Sequence, residues 1–290
     1  MELRVLKYYL TVIQEGSFSR AAERLNLTQP TLSRQIADLE EELGTTLFIR
    51  SKKGHGIELT EDGKLLKSRA LEIVELADRT SAEFSQQQNN NISGDVFIGA
   101  GETDIMRSLA KIMKQIENVH FHLFSGNSEH VMERLDKGLL DFGIIIGETN
   151  LSKYDFLPLN SVVTWGVLMR DDAPLAKKEN VIPKDLINTP LIFSEQSLSN
   201  NELSGWFHGK MERLNIVATY NLIHNATYLV EEGIGYAIII DNLVNTDGRE
   251  LCFRPLEPRL EARLNIVWKK GKIFSKAADL FLHEILSQRR

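Results

Sequence analysis

Three stretches of helical spacing occupy the first 44 residues, and a turn of only three residues separates the second from the third. Leucine or isoleucine recurs every three or four residues over 3–13, and Gly16 follows. The second stretch covers 18–25 and the third covers 29–43. Spacing of this kind is typical of helices that bury one face. Two helices joined by a tight turn form a helix-turn-helix, so the sequence predicts that motif here.

The third stretch begins with polar side chains suited to contacting DNA. Ser17 and Thr28 are favoured N-cap residues for the second and third helices. If Leu32 and Ile36 face the core, the polar residues around them are exposed at the start of the helix, which in a recognition helix touches base edges. Arginine can bridge guanine, glutamine can bridge adenine, and hydroxyls reach phosphates. The predicted DNA contacts on these helices are Ser17, Ser19, Gln29, Pro30, Thr31, Ser33 and Arg34.

A cationic hairpin is predicted directly after the third helix. Apolar residues at 47–49 and 57–59 flank a turn that contains two glycines, which is a hairpin pattern. A charged hairpin tip can be a solvated turn and nothing more, but beside a helix-turn-helix we favour contact with phosphate or the minor groove. The chain carries a net charge of −6, so DNA binding must rest on a local basic surface of this kind. The cations of the hairpin are Arg50, Lys52 and Lys53.

Five segments of this region follow one another in a fixed order. They are GSFSRAAERL at 16–25, TQPTLSRQI at 28–36, LEEELG at 39–44, LFIR at 47–50 and LTEDG at 59–63. In this order and spacing they resemble the N-terminal signature of LysR-type transcriptional regulators. The resemblance implies an all-α winged helix-turn-helix DNA-binding domain over 1–60.

The segment 61–91 is predicted to be a long linker helix that ends in a polar run of glutamine and asparagine. Small and apolar residues recur along it at alternating intervals of four and three, which is a heptad pattern. A helix with so few apolar residues can pack along its own domain, or it can pair with the same helix of a second copy, as the LysR resemblance implies. We favour pairing, through Leu66, Ala70, Ile73, Ala77 and Phe84.

Strand and helix patterns alternate over 92–290, which favours an α/β fold with parallel sheets. Segments such as VEEGIGYA at 230–237 resemble landmarks of the LysR effector domain, which is similar to periplasmic solute-binding proteins. The resemblance implies two α/β subdomains that share two crossover strands and hold an effector in the cleft between them. Subdomain I would cover about 92–162 and 264–290, and subdomain II about 163–263.

Small polar residues follow several of the predicted strands in this region. Ligands of α/β sheets bind beyond the carboxyl ends of the strands, near helix N-termini, so these residues suit a small molecule, often an anion. Each of them can also be an ordinary helix cap. The predicted effector contacts are Gly101, Thr103, Ser125, Asn127, Gly147, Ser194, His224 and Asn225. Of these, Thr103 and Asn127 match the effector contacts of the LysR family best by position.

The sequence contains no evident catalytic or metal-binding set. His120 and His122 have no third ligand nearby, so two ordinary histidines are the better interpretation. Cys252 is the one cysteine, which excludes an internal disulfide and favours a reducing cytoplasm. The chain has no apolar leader and no run of about 18 apolar residues that could span a membrane. We therefore expect no enzyme activity, no metal, and no cofactor other than a small-molecule effector.

Together these features predict a sequence-specific transcriptional regulator that binds double-stranded promoter DNA and responds to an effector of unknown identity. It would form dimers and tetramers, and RNA polymerase is a further candidate partner. One alternative is a solute receptor without DNA binding, which would leave 1–60 unexplained. The other is a cytosolic α/β enzyme with a dimerisation arm, which would need a catalytic set that the sequence does not display.

Overall fold

The computed structural model describes residues 1–49, 57–86, 92–147, 151–198 and 201–288. The chain forms two compact units, 1–88 and 89–290. The domain limits proposed from the sequence stay predictions. The described residues include no helix long and apolar enough to cross a bilayer.

The described residues of the N-terminal unit form four helices and a small antiparallel pair of strands. The helices are α1 (Leu3–Glu15), α2 (Phe18–Arg24), α3 (Gln29–Leu43) and α4 (Glu61–Gln86), and the strands are β1 (Phe48–Ile49) and β2 (Glu58–Leu59). The hairpin is therefore present at its base. Its tip lies outside the described residues, and so do Arg50, Lys52 and Lys53, whose DNA contacts stay predictions.

The core of this unit uses most of the face of α1 that the leucine spacing predicts, together with Tyr9 and Val12. Leu6, Tyr9 and Val12 are buried, whereas Leu3 is exposed. Leu10 and Ile13 are half-buried and pack against the same core, so Leu3 is the member of the predicted stripe that does not. The Tyr9 ring lies 5.3 Å from that of Phe48 between centroids.

The caps of α2 and α3 are those predicted from the sequence. Ser17 Oγ accepts a hydrogen bond from Arg20 N at 3.5 Å, and Thr28 Oγ1 accepts one from Thr31 N at 3.3 Å. Pro30 lies in the first turn of α3, where its missing N–H leaves no carbonyl unpaired. The sequence thus fixes the start of α3, the helix that carries most of the predicted DNA contacts.

Replacing the cap of α3 should loosen its first turn. In Thr28→Ala the N–H of Thr31 loses its acceptor, so local stability should fall by about 1 kcal/mol. Hydrogen–deuterium exchange of the full chain should then be about fivefold faster at the start of α3. Ser275→Ala is a matched control, because Ser275 caps a helix of the other unit by accepting from Ala278 N. Exchange at α3 that is unchanged in Thr28→Ala would contradict the assigned cap.

The start of α4 is fixed on the rest of the N-terminal unit through Gly63. Tyr9 Oη donates a hydrogen bond to Gly63 O at 2.6 Å, and Gly63 N donates to Thr60 Oγ1 at 2.9 Å. A Cβ atom at position 63 would lie 2.2 Å from Leu47 O, so only glycine allows this approach. Burial, followed by the charge of Glu40, raises the pKa of Tyr9 to about 12. Tyr9 therefore keeps its proton, and with it this hydrogen bond, at neutral pH.

The C-terminal unit is a nine-stranded sheet with helices packed on it. Its strands are β3 (Gly94–Ala100), β4 (Val119–Ser125), β5 (Phe142–Ile146), β6 (Tyr154–Arg170), β7 (Pro190–Ser194), β8 (Asn215–Tyr220), β9 (Tyr236–Ile240), β10 (Leu251–Pro255) and β11 (Glu261–Lys269). Its helices are α5 (Ile105–Met113), α6 (Ser128–Asp136), α7 (Pro183–Leu186), α8 (Glu195–Leu198), α9 (Asn201–Trp206), α10 (Ile223–Glu231) and α11 (Lys276–Ser287). The strand order is β4-β3-β5-β11-β6-β9-β7-β8, with β10 paired to β6. The predicted α/β class is confirmed.

The long strands β6 and β11 join two groups of parallel strands. Strand β3 runs parallel to β4 and β5, and β7 runs parallel to β8 and β9. Both crossover strands run antiparallel to their neighbours, so parallel pairing holds only within each group and not throughout the sheet. Strand β6 pairs with β11 up to Thr164 and with β9 from Trp165 onward. The predicted boundary between subdomains, at 162/163, lies just before this change of partner.

Candidate DNA-binding surface and ligand cleft

The first two turns of α3 present an exposed polar surface. Leu32 and Ile36 are buried, as the spacing predicts, while Gln29, Thr31 and Arg34 are exposed. Arg34 has no hydrogen-bond or ion-pair partner within the described part of the chain. Its guanidinium is therefore available to an external acceptor, and a paired guanine edge or a phosphate would suit it.

The remaining predicted DNA contacts on these helices differ in their exposure and in the hydrogen bonds that they already make. Gln29 Nε2 donates to Ser33 Oγ at 2.8 Å, one turn apart, and Ser33 is half-buried. Pro30 and Ser19 are exposed. Ser17 is half-buried, with its hydroxyl engaged as the cap of α2. DNA contact by each of these residues stays a prediction.

The acidic C-terminal half of α3 has a structural use that the sequence did not suggest. Glu40 Oε1 accepts hydrogen bonds from Leu47 N at 2.6 Å and from Phe48 N at 3.3 Å. This carboxylate fixes the entry to β1, which is the base of the hairpin. At least this member of the acidic run is therefore directed into the unit and away from the first turn of α3.

Helix α4 has two apolar faces, and only one of them is free. Ala70 is completely buried, and Leu66 and Val74 pack beside it against the core of the N-terminal unit. The assignment of Leu66 and Ala70 to a dimer seam was therefore wrong, because the first turns of α4 use that face to cover their own unit. Ala77 is half-buried.

A second stripe on α4 remains exposed. Ile73 and Phe84, two of the predicted seam residues, belong to it together with Leu65 and Leu76. These side chains are exposed by 39, 66, 60 and 41%, respectively, although all are large and apolar. An apolar stripe of this kind is the usual signature of a surface that another chain covers.

A cleft in the C-terminal unit lies where the two groups of parallel strands meet. It contains about 640 Å³ of empty space, part of it continuous with solvent. Its lining combines apolar side chains, among them Ile146, Trp165 and Leu243, with the polar residues Asn127, Ser194, Gln196 and Asn221.

The structure brings together some of the predicted effector contacts and leaves others apart. Gly101, Asn127 and Ser194 line the cleft. Thr103 and Ser125 line a neighbouring hollow. Thr103 and Asn127 also cap helices, since Thr103 Oγ1 accepts from Ile105 N and Asn127 Oδ1 from His130 N.

Three further predicted contacts line neither the cleft nor the neighbouring hollow. Gly147 is next to Ile146, which does. His224 and Asn225 are exposed on α10, and His224 packs against Tyr228. Helix α10 begins at Ile223, and the two residues before it, Asn221 and Leu222, line the cleft instead.

The sequence interpretation overlooked Glu102, which lines both the cleft and the neighbouring hollow. Its carboxylate accepts a hydrogen bond from Ile223 N at the start of α10. Burial, followed by the charge of Glu102, raises the pKa of Tyr220, whose hydroxyl donates to Ile238 O at 2.9 Å. The sequence analysis considered only small polar residues at the ends of strands. It therefore did not select Glu102, the larger and charged residue that follows Gly101.

One further pair of hydrogen bonds crosses the cleft. Gln196 Oε1 accepts from Ser128 N at 3.1 Å, and Gln196 Nε2 donates to Ser128 Oγ at 2.8 Å. Together with the contact of Glu102, these bonds connect α6 and the loop after β3 to α8 and α10. Opening the cleft would break them.

The histidines and the cysteine considered in the sequence analysis can be examined for metal binding and for nucleophilic chemistry. Among the described residues, no cluster of three metal-ligating side chains exists. His122 Nε2 lies 2.8 Å from Asp95 Oδ1, and its ring stacks on Phe97. Cys252 is half-buried, and burial raises the pKa of its thiol, so it is poorly suited to nucleophilic chemistry.

Comparison with known protein families decides the identity of both units. The family described as "LysR substrate binding domain" matches residues 90–290. The family described as "Bacterial regulatory helix-turn-helix protein, lysR family" matches residues 3–64. The chain belongs to the LysR family.

Individual LysR regulators are similar over almost the whole chain. The HTH-type transcriptional regulator YwqM of Bacillus subtilis (strain 168) is 30% identical over 299 residues, covering 97% of each chain. The Hca operon transcriptional activator HcaR of Escherichia coli (strain K12) is 27% identical, covering 94% of this chain and 93% of HcaR. The crystal structure of full-length CbnR complexed with its target DNA has the same fold, with a TM-score of 0.79 at 20% identity over 99% of both chains. The protein is thus a LysR-type DNA-binding transcriptional regulator with an effector-binding domain.

Proposed function

We propose that this LysR-type regulator binds promoter DNA as a dimer, with the first turns of α3 in the major groove. The observation that carries the proposal is the exposed, unengaged guanidinium of Arg34 at the start of a capped helix. Gln29 and Thr31 beside it offer the amide and hydroxyl groups that complete such a contact. Because its partner is chromosomal DNA, the protein would act in the cytoplasm.

We further propose that a small molecule in the cleft of the C-terminal unit controls this binding. Coupling of this kind requires that the effector bind one arrangement of the protein more tightly than the other. The hydrogen bonds of Gln196 and Glu102 across the cleft support this proposal, because a ligand that replaces them changes the relative stability of the open and closed cleft. A tetramer formed by the effector domains, and contact with RNA polymerase, belong to the same proposal.

The protein would have no enzymatic activity and no cofactor besides the effector. Its role would be fulfilled by two binding events, one to DNA and one to a metabolite. Both sites offer polar groups suited to recognition, and among the described residues that line the cleft none is poised as a nucleophile with a general base.

A footprint on the DNA upstream of the protein's own gene tests the proposal. We expect protection over two or more adjacent helical turns, and we expect a metabolite to shorten or shift it. Affinity should fall steeply with salt concentration, because phosphate neutralisation releases counterions. Absence of protection on every upstream fragment at low salt would refute the DNA-binding site proposed here.

A further inference from the structure

The cleft of the C-terminal unit contains one charged side chain, and that charge is negative. Among the described residues that line it, Glu102 is the only one with an ionisable carboxyl or a basic group, apart from the phenol of Tyr220. The other polar side chains are neutral amides and hydroxyls. Arg107 and Asp104 line the neighbouring hollow and not the cleft. A ligand in the cleft therefore meets a carboxylate and, in this lining, no cation.

The Glu102 carboxylate retains room for a further partner. A carboxylate offers about four acceptor positions, and the backbone N of Ile223 uses one of them. The side chain is half-buried and faces both hollows, so it is not sealed inside the protein. Its charge acts on the buried hydroxyl of Tyr220, which also lines the cleft. The negative charge is thus directed toward the space that a ligand would fill.

A second, independent observation about the ligand of the cleft comes from Trp165. Its side chain lines the cleft and is only 8% exposed. Its Nε1 is buried and has no hydrogen-bond acceptor within the described part of the chain. A buried donor without an acceptor is costly, so a ligand oxygen that accepts from this N–H would gain affinity. The indole ring is also a favourable surface for a cation.

We propose that the effector of this cleft is a small organic amine, protonated at neutral pH, that also carries a hydrogen-bond acceptor. Its ammonium group pairs with Glu102, and its acceptor receives the N–H of Trp165. The apolar side chains of the cleft cover the carbon skeleton between these two groups. This inference rests on the proposed function, in which the cleft is the effector site. It differs from the anion that strand-end residues of this kind often bind, because the described lining offers an anion no cation to pair with.

Binding by a charge series tests the ligand class. The probes share a skeleton and differ in one group: 4-hydroxyphenylethylamine, 4-hydroxyphenylethanol and 4-hydroxyphenylacetate, with 3-methylbutylamine, 3-methylbutanol and 3-methylbutanoate as a second set. Each is added at millimolar concentration to the purified full-length protein without DNA, and calorimetry and the Tm report binding. We expect at least one amine to raise the Tm and the carboxylates to leave it unchanged. Tighter binding of a carboxylate than of its amine, or no binding of either amine, would overturn the proposal.

Glu102→Gln separates charge from shape. The amide oxygen of the variant can still accept from Ile223 N, so the loop keeps its contact while the charge is lost. Amine affinity should fall at least about tenfold. Glu195→Gln is the matched control, because Glu195 is exposed next to Gln196 and does not line the cleft. Equal amine binding by Glu102→Gln and the unsubstituted protein would overturn the assignment.

Trp165→Phe tests the acceptor. The ring is kept and the N–H is removed, so the hydroxyphenyl amine should bind more weakly while 3-methylbutylamine, which has no oxygen, should not. Circular dichroism tests whether the Trp165→Phe variant is folded. If this variant does not fold, the Glu102→Gln measurement still tests the proposal. Because all these titrations omit DNA, loss of the operator footprint would count against the proposed function alone. Intact DNA binding with a cleft that prefers carboxylates would count against the amine alone.

Discussion

Arg34→Ala should weaken binding to the specific operator by about 5- to 150-fold, which corresponds to about 1–3 kcal/mol. The side chain is exposed at the start of α3 and unengaged within the described residues, so its loss leaves the helix itself unchanged. If Arg34 reads a base, affinity for random DNA should change little, because non-specific binding depends on phosphate contacts. A gel shift with operator and scrambled fragments at two salt concentrations measures both affinities.

Two further variants make this result specific to the position. Arg213→Ala removes an exposed arginine from the C-terminal unit and should leave operator binding unchanged. Arg34→Lys keeps the charge and loses the planar fork, so it should bind random DNA as the unsubstituted protein does, without recovering the affinity for the operator. Equal losses on operator and scrambled DNA in Arg34→Ala would reassign Arg34 to a phosphate contact. No loss on either would remove it from the interface.

A double substitution on α4, Ile73→Glu with Leu76→Glu, should convert the proposed dimer to a monomer. Both side chains belong to the exposed stripe, and burial of each contributes about 1.5–3 kcal/mol per copy. The dissociation constant should therefore rise at least about 1,000-fold. Operator binding should fall with it, because each monomer would hold only one half-site. Sedimentation at micromolar concentration measures the mass directly.

Leu71→Glu is the control for that experiment. Leu71 is exposed by 51%, comparable to the residues of the stripe, but lies on the opposite face of α4 at about 100° per residue. It should remain a dimer. Dissociation by Leu71→Glu, or a dimer that survives the double substitution, would show that a different surface joins the two copies.

The parts of this fold that the sequence predicts are those fixed by local chemistry. Ser17, Thr28 and the glycines that end α1 and α3 act within a few residues of their own position, so the limits of the first helices follow from them. The exposure of Arg34 follows from the burial of Leu32 and Ile36 on the same helix. These inferences need no knowledge of distant contacts.

The incorrect predictions concern surfaces at which segments that are distant in the sequence pack together. The apolar residues of α4 fit one heptad seam, but Tyr9 binds the start of the helix at Gly63, and Ala70 is buried in the core of the same unit. Nothing near position 70 in the sequence encodes that contact. Helix α4 therefore divides its apolar residues between two faces, and a local pattern cannot assign them.

The cleft was predicted only in part for the same reason. Its strand-end residues Gly101, Asn127 and Ser194 follow from the general geometry of α/β sheets. Trp165, Tyr220 and Gln196 enter it from segments that the chain brings together over long distances. Glu102 was adjacent to a predicted residue, and its charge, which matters most for the ligand, was missed because the rule favoured small side chains.

The pairing of β5 with β11 has a consequence for synthesis of the protein. Strand β5 ends at Ile146, and its second neighbour β11 begins only at Glu261. While the ribosome makes residues 147–260, one edge of an almost wholly buried, isoleucine-rich strand has no partner. Such edges recruit other nascent chains, so the yield of this regulator should depend on chaperone capacity more than its final stability would suggest.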